Sequence, residues 1–248
     1  MATTGTTAFN LDFGELAEEA FERAGREMRT GYDLRTARRS MNLMTIEWAN
    51  RGINLWTIDE GYLNLTKGDS DYALPADTVD LCEMNIREND GVIATQSDTN
   101  LNRISVSTYS AIPNKKTQGK PLQAVIHRLG GKGGYKSGQD SNTTTSFTAD
   151  APFVRVWPVP DKTDTYRLYY YRVRRIEDAG NGVETQDLPF RFLPCAVAGL
   201  AYYIAMKIPE LMPRLQMLKQ EYEEQFAKAA AEDRVKTSAR FVPSIGYH

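Results

Sequence analysis

The sequence predicts an α+β protein in which N- and C-terminal helices form one bundle and an antiparallel β-sandwich or barrel domain is inserted between them. Apolar residues recur every three or four positions near both ends of the chain, which is typical of amphipathic helices. The middle of the chain alternates apolar and polar residues in short segments separated by Gly and Pro, which is typical of strands. With 248 residues, of which 41% are hydrophobic, the chain can bury a sizeable core.

Two helices are predicted over residues 11–52, after a flexible segment at residues 1–10. The first has an apolar stripe formed by Phe13, Leu16, Ala17, Ala20, Phe21 and Ala24. Its acidic residues come early and its basic residues late, as the helix dipole favours. The second helix begins after Gly31, with Asp33 as its candidate N-cap and Gly52 as its stop. We expect the two helices to form a helical hairpin.

A β domain is predicted over residues 53–188. Its strands are expected within the alternating segments 62–66, 79–86, 103–107, 124–128, 153–157 and 166–173. Polar connections between short strands favour an antiparallel sandwich or barrel. Residues 130–150 are almost all Gly, Ser, Thr, Lys, Asn and Asp, a composition too polar to pack, and they are expected to form a mobile loop.

Helical periodicity returns over residues 189–233 and is interrupted by Pro209 and Pro213, which predicts a kinked pair of helices that completes the bundle. Residues 234–248 lack periodicity and are expected to form an extended arm. The bundle core is predicted to draw on helices from both ends of the chain, namely Phe21, Leu34, Met44, Trp48, Leu200 and Ile204. Trp48 is expected to lie at its centre.

Composition argues against several classes of function. The formal net charge is −2, so no overall positive field is available to hold nucleic acid. Cys82 and Cys195 are far apart in sequence, which fits synthesis in a reducing cytosol. The first residues lack the basic and apolar runs of a secretory signal, and no apolar stretch is long enough to span a bilayer. We therefore expect neither export nor membrane contact.

The sequence also lacks the patterns that catalysis and metal binding require. Its two histidines are His127, in a predicted strand, and His248, and neither stands near a nucleophile or zinc-ligand motif. The glycine cluster at 130–138 does not have the spacing of a phosphate-binding loop. We predict no catalytic residue, no cofactor and no metal. A basic patch on the second helix, Arg35, Arg38 and Arg39, indicates a solvated helix face or a subunit contact.

Several short motifs follow one another along most of the chain. They are GYDLRTARRS at 31–40, WANRGINLW at 48–56, YALPAD at 72–77, ISVSTY at 104–109, IPNK at 112–115, GKP at 119–121 and WPVP at 157–160, ahead of the tyrosine-rich strand at 166–171. None is specific alone. In this order and spacing they resemble the head-to-tail adaptor, or tail tubular, proteins of tailed and mostly short-tailed bacteriophages.

The resemblance implies a structural virion protein at the head–tail junction, made in the host cytoplasm and without enzymatic activity. It implies a homo-oligomeric ring, commonly of twelve copies, that lies beneath the portal protein and contacts a tail nozzle or tail tube protein. Double-stranded DNA would pass through this ring transiently. One alternative of a different class stays open, a tail-associated carbohydrate-binding or glycosidase-like protein that uses acids and aromatic residues of the β region.

Two groups of residues are assigned to assembly on this basis. The arm is expected to dock onto the portal through Arg240, Phe241, Val242, Ile245 and Tyr247, because a merely solubilising tail would be polar. The alternative is that the arm folds back on its own β domain or on a neighbouring subunit. Residues 207–233 carry six acidic and four basic residues, a balance that would not grip DNA. The candidate channel lining there is Glu221, Glu224 and Lys228.

Overall fold

The computed structural model describes residues 5–7, 9–29, 31–53, 55–128 and 152–233. The chain divides into two compact units: a helical unit, made of the described residues up to Trp56 and from Ile176 onward, and a β unit, Thr57–Arg175. The predicted α+β class, helices with an inserted β domain, is confirmed. The loop expected at 130–150 and the arm expected at 234–248 lie outside the described residues.

Five α-helices occur in the described part of the chain: α1 Phe13–Ala24, α2 Gly31–Asn50, α3 Val106–Ser110, α4 Leu193–Ala205 and α5 Leu215–Glu232. Short 3-10 turns precede α4 and α5, at Phe190–Phe192 and Pro209–Arg214. In the helical unit α4 is the central element, since it is buried along nearly its whole length and contacts α1, α2 and α5. The two N-terminal helices contact each other little, and both pack on α4.

The N-termini of the first two helices are built differently. The side chain of Asp12 accepts the N–H of Glu15 at 2.8 Å and the side chain of Glu15 accepts the N–H of Asp12, which forms a capping box. The N-cap prediction for α2 is wrong. This helix begins at Gly31, and Asp33 lies within its first turn, where its buried carboxylate accepts the backbone N–H of Arg29.

The core of the helical unit brings the two ends of the chain together. Of the residues predicted for it, Leu34 is half-buried at the edge. The others are fully buried, namely Phe21, Met44, Trp48, Leu200 and Ile204. Gly199 allows close approach of the helices, because a Cβ there would lie 2.4 Å from Met44 Sδ and 2.8 Å from the ring of Tyr222. The absence of a side chain at this position lets α2 and α5 pack tightly on α4.

Residues 176–188, which the sequence pattern assigned to the β domain, pack instead on the helical unit. The N–H of Phe13 donates to the carbonyl of Glu184 at 3.0 Å, and the N–H of Gly14 donates to the carbonyl of Gly182 at 2.8 Å. The first N–H groups of a helix have no partner within the helix. This segment supplies carbonyl partners for two of them, which explains why it packs on α1 rather than on the strands.

The β unit contains eight strands: β1 Ile58–Asn64, β2 Asp71–Ala73, β3 Thr78–Glu88, β4 Ser97–Asn100, β5 Asn102–Arg103, β6 Gln123–His127, β7 Phe153–Trp157 and β8 Tyr166–Arg174. They form two four-stranded sheets, with strand orders β1-β8-β3-β4 and β2-β7-β6-β5. All neighbouring strands are antiparallel except β5 and β6. One buried core contains side chains from both sheets, as in a sandwich.

The strand expected at 103–107 is wrong. β5 ends at Arg103, and Ser105 is the N-cap of α3, where its hydroxyl accepts the N–H of Thr108 at 3.1 Å. Serine side chains compete with strand pairing by bonding to nearby backbone groups. The local cap therefore prevails over the alternation of apolar and polar residues that favoured a strand.

Candidate functional site

The residues predicted to line a channel lie on α5, whereas those predicted to dock onto the portal, from Arg240 to Tyr247, lie outside the described residues. Glu224 and Lys228 are exposed. Glu221 is half-buried and accepts a hydrogen bond from Arg23 Nη1 at 3.2 Å, so it also ties α5 to α1. The exposed face of α5 is otherwise close to neutral and includes Gln216, Gln220, Ala227 and Ala231.

A polar network fixes the orientation of α5 against α2. Trp48 Nε1 donates to the hydroxyl of Tyr222 at 2.9 Å, and that hydroxyl donates to Glu47 Oε2 at 3.2 Å. Arg51 donates to Glu223 Oε2 at 2.9 Å and also to Glu47. Burial raises the pKa of Tyr222 well above its usual value, so the phenol stays protonated and keeps its donor role. The network makes the exposed face of α5 a fixed surface.

The ion pair between Arg51 and Glu223 predicts a pH-dependent stability. The hydrogen bond from Arg51 lowers the pKa of Glu223, so this carboxylate stabilises the fold above its unfolded-state pKa and stops doing so as pH falls through the lowered value. Replacing Arg51 with Met should therefore destabilise the protein at neutral pH and make its stability less dependent on pH in the acid range. Urea denaturation at a series of pH values between neutral and about 3 measures this.

The control for this experiment is Arg29→Met, because the Arg29 side chain is 73% exposed and, among the described residues, its ion-pair partner is Glu27, which is 77% exposed. We expect this variant to keep the acid-range slope of the unmodified protein. If the Arg51→Met variant and the unmodified protein differed in free energy of unfolding by the same amount at every pH, Arg51 would not act through a carboxylate.

The face of α2 opposite the core is exposed and carries both apolar and basic side chains. Tyr32, Leu43 and Ile46 are 64%, 57% and 50% exposed. Arg35 and Arg39 are exposed on the same face, one turn apart, and neither forms an ion pair with any residue that the structure describes. We call these five side chains the α2 stripe. A helix that buries one apolar face and also exposes apolar side chains on the opposite face offers a candidate contact surface.

Arg38, the third member of the predicted basic patch, has a different role. Its Nε donates to the carbonyl of Ala179 at 2.9 Å, and its Nη1 donates to Asn181 Oδ1 at 2.9 Å. Both partners belong to the segment after β8 that packs on the helical unit. Arg38 therefore fixes that segment, and the patch read from the sequence divides into one structural arginine and two that are open to a partner.

A groove of about 720 Å³ lies along the other N-terminal helix, between α1, the start of α4 and the segment before α1 that includes Thr7, Phe9 and Leu11. Its apolar lining includes the rings of Phe9 and Phe190, which are 75% and 77% exposed, together with the buried side chains of Leu193 and Val197. Its rim is acidic, with Glu18 and Glu22 one turn apart on the exposed side of α1. Neither glutamate forms an ion pair with any of the described residues. We call this feature the α1 groove.

Neither the α1 groove nor the apolar part of the α2 stripe is among the features predicted from the sequence. The glutamates of α1 were interpreted only as residues that complement the helix dipole. The signal for the stripe was present, because Tyr32, Leu43 and Ile46 follow helical spacing out of phase with the core positions of α2. No comparable signal marked the groove, since Phe190 lies in a 3-10 turn outside any periodic segment.

Six aspartates of the β unit pair with arginines. Asp71 accepts hydrogen bonds from Arg155 Nε and Nη2 at 2.5 and 2.7 Å, and Asp77 accepts from Arg172 Nη1 at 2.6 Å. The hydrogen bond from Arg172 lowers the pKa of Asp77. The same kind of pairing occurs at Asp59, Asp80, Asp90 and Asp98. The pKa of Asp98 is lowered in the same way by Arg87, so Asp77 and Asp98 are unsuited to donate the proton that glycoside cleavage requires.

The tyrosine run of β8 is divided between two faces, as alternation along a strand predicts. Tyr170 is buried in the core of the β unit. Tyr169 lies on the other face, where its ring stacks on Tyr62 with centroids 5.7 Å apart and the guanidinium of Arg87 lies 4.0 Å from its centroid. Tyr171 is 42% exposed. Only part of the run therefore faces solvent.

His127 and Cys195 both lie in surroundings that suit a structural role and not a catalytic one. The ring of His127 stacks on Phe153 with centroids 4.3 Å apart, and burial lowers its pKa. Burial raises the pKa of Cys195 to about 12, so its thiol stays protonated at neutral pH and is a poor nucleophile. Among the described residues, no group of three or more His, Cys, Asp or Glu side chains could hold a metal ion. No helix in that part of the chain is long and apolar enough to cross a membrane.

Among the described residues, the helical unit carries exposed apolar side chains next to charges without an ion pair, which are features of surfaces that contact other proteins. The family model described as SU10 adaptor protein matches residues 11–243. The chain belongs to this family, which is a family of phage head-to-tail adaptors. A comparison with curated proteins gives no match.

Membership in this family confirms the resemblance found in the sequence motifs. It implies a structural, non-enzymatic role and a place in the phage virion. It also implies association with portal and tail components.

Proposed function

We propose that the protein forms a homo-oligomeric ring of twelve copies beneath the portal, joins the capsid to the tail and encloses part of the DNA channel. The observation that carries this proposal is the family match, because it spans residues 11–243 and thus includes both the helical unit and the β unit. Copy number, contact with a tail nozzle or tail tube protein and synthesis in the host cytoplasm belong to the same proposal.

Portal docking is assigned to the arm after α5, through Arg240, Phe241, Val242, Ile245 and Tyr247. The helix end that precedes the arm is held in place: Asp233 Oδ2 accepts the N–H of Leu55 at 3.4 Å, and Asp233 lies 3.6 Å from Arg191 Nη2. An arm that begins at a fixed point loses less entropy on docking than one on a frayed helix end. Repeated arms around a ring would bind together, so weak single contacts would add up to firm attachment.

The experiment that tests this function is an ordered assembly assay with portal-bearing capsids that lack tails. We expect the protein to bind these capsids and the tail tube or nozzle protein to bind only after it. Capsids whose portal is absent serve as the control and should bind neither. Direct binding of the tail protein to bare portals, with no requirement for this chain, would contradict the adaptor role.

The exposed face of α5 is the proposed channel wall. The helix carries four acidic and two basic residues, and Glu221 and Glu223 among the acids are held in ion pairs with other helices. A wall dense in Lys and Arg would bind phosphates and release their counterions, which would retard DNA. An exposed face that is nearly neutral, with Glu224 and Lys228 in balance, would let DNA slide.

The assembled ring is therefore expected to bind duplex DNA more weakly than about 1 μM at physiological salt. Fluorescence anisotropy across a salt titration measures this. Replacing Gln220 and Glu224 with Lys should create tight, salt-sensitive binding, because the ring then presents a basic wall. The control variant, Asp69→Lys with Ser110→Lys, makes the same change in net charge at exposed sites of the β unit. It should change DNA binding much less. Tight, salt-sensitive binding by the unmodified ring would contradict this lining.

A further inference from the structure

A closed ring of identical subunits requires two different surfaces on each chain, one that meets the neighbour on the left and one that meets the neighbour on the right. The proposed function requires such a ring but does not say which surfaces form it. The helical unit carries two exposed surfaces of opposite character, the basic and apolar α2 stripe and the acidic and apolar α1 groove. They lie on helices that contact each other little and pack separately on α4.

The charges on these two surfaces are opposite in sign and equal in spacing. Arg35 and Arg39 are one helical turn apart on α2, and Glu18 and Glu22 are one helical turn apart on α1. Residues four apart on a helix have Cβ atoms about 6 Å apart, so two arginine–glutamate pairs can form at once when two such helices lie side by side. All four side chains are exposed and lack an ion pair within the described part of the chain.

The apolar parts match as well. Beyond its arginines the α2 stripe continues into Leu43 and Ile46, which are half or more exposed. The groove offers the exposed rings of Phe9 and Phe190, together with the buried side chains of Leu193 and Val197. Exposed apolar side chains flanked by charges are typical of subunit interfaces, in which the apolar part is buried and the charges select the partner.

We infer that the α2 stripe of one subunit docks into the α1 groove of the next and that this contact closes the ring. The occupant of the groove is thus a second copy of this chain. The inference rests on the proposed ring, and it specifies the side chains that form the contact. Arg35 and Arg39 bind Glu18 and Glu22 across the interface, while Leu43 and Ile46 cover the apolar part of the groove.

Charge reversal on one surface at a time tests this contact. One variant carries Arg35→Glu and Arg39→Glu, and the other carries Glu18→Lys and Glu22→Lys. Each places like charges opposite one another, so each alone should bind portal-bearing capsids with at least about tenfold fewer copies per portal. Quantitative gel analysis of sedimented capsids gives the number of copies. Circular dichroism and thermal unfolding check that each variant is folded.

Combining the charge-reversed stripe with the charge-reversed groove tests the contact most directly. A chain with all four substitutions has both charges reversed and should regain ring formation. An equimolar mixture of the two double variants should also regain it, because each groove then meets a stripe of opposite charge in an alternating ring. The control, Lys67→Glu with Lys116→Glu, makes the same change in net charge as the arginine variant on exposed β-unit residues and should bind at the unmodified level.

The remaining outcomes separate this contact from other occupants of the groove. If the arm filled the groove, the arginine variant would keep full occupancy and the mixture would give no rescue. If the arginines bound nucleic acid, their reversal would change DNA binding and leave ring occupancy intact. Either result overturns the proposed interface. If the unmodified protein did not bind portals at all, the adaptor function would fail, and this inference would fall with it.

Discussion

Deleting residues 239–248 is expected to abolish attachment to portal-bearing capsids while the helical unit stays folded. The described core supports continued folding, because all the buried core residues that the structure describes in this unit lie between Phe13 and Ala229. The first part follows from assigning portal docking to Phe241, Val242, Ile245 and Tyr247, all of which this deletion removes. Sedimentation of capsids with bound protein, together with far-UV circular dichroism of the free protein, measures both effects.

A second variant keeps the length of the arm and changes its side chains. A chain in which the four apolar arm residues and Arg240 are replaced by Ser should fail to attach as completely as the deletion does, because the anchors and not the chain length supply the contact. Truncated protein that joined capsids at the unmodified occupancy would show that another surface docks onto the portal. The arm would then be a candidate for contacts with its own or a neighbouring subunit.

Replacing Trp48 with Ala is expected to cost about 3 to 5 kcal/mol of stability. The Trp48 side chain is fully buried and packs against Phe192 and Phe226, with ring centroids 5.7 and 6.4 Å away. Its indole N–H also donates to Tyr222, so the Ala variant leaves both a cavity and a hydroxyl that has lost its donor. Urea denaturation followed by circular dichroism measures the change in free energy of unfolding.

One further variant separates packing from hydrogen bonding at this site, and a second serves as an exposed aromatic control. Trp48→Phe keeps most of the ring and loses the N–H, so it should cost less than the Ala variant. Phe190→Ala removes an aromatic ring that is 77% exposed and should change stability by about 0.5 kcal/mol or less. An unchanged melting temperature for the Trp48→Ala variant would contradict its place at the centre of the helical core.

The helical periodicity of the sequence was the most informative signal for the fold. The stripe of α1 from Phe13 to Ala24 is the buried face of that helix, since a regular 3.6-residue repeat leaves one side facing the core. Errors arose where a local hydrogen bond decides the structure. Ser105 caps a short helix instead of extending a strand, and Asp33 binds the preceding loop from within the first turn of α2.

The candidate contact surfaces were harder to predict because they depend on relations between distant segments. Phe190 joins Glu18 and Glu22 in one groove only after α4 packs on α1, and nothing local marks that contact. The basic patch on α2 was visible in the sequence. Its division into a structural Arg38 and open Arg35 and Arg39 required the position of the Ala179 carbonyl. Sequence patterns identify which face of a helix is buried, but not what an exposed face meets.

The proposed interface connects this geometry to assembly. A ring held by paired charges and a small apolar contact on each side would be weak for one pair of subunits and strong when every interface closes at once. Such a ring would form more readily on a portal, which concentrates the subunits, than in dilute solution. The rigid attachment of α5 to α2 through Trp48 and Tyr222 would then hold the candidate channel wall in the same orientation in every copy.

Electron microscopy of the purified protein mixed with its portal tests the central claim most directly. The adaptor account predicts one additional ring of density beneath the portal, of this protein's mass, with an open channel along the axis of the complex. Portals that remain bare under conditions in which the protein is folded and in excess, or protein that binds away from the portal axis, would contradict it.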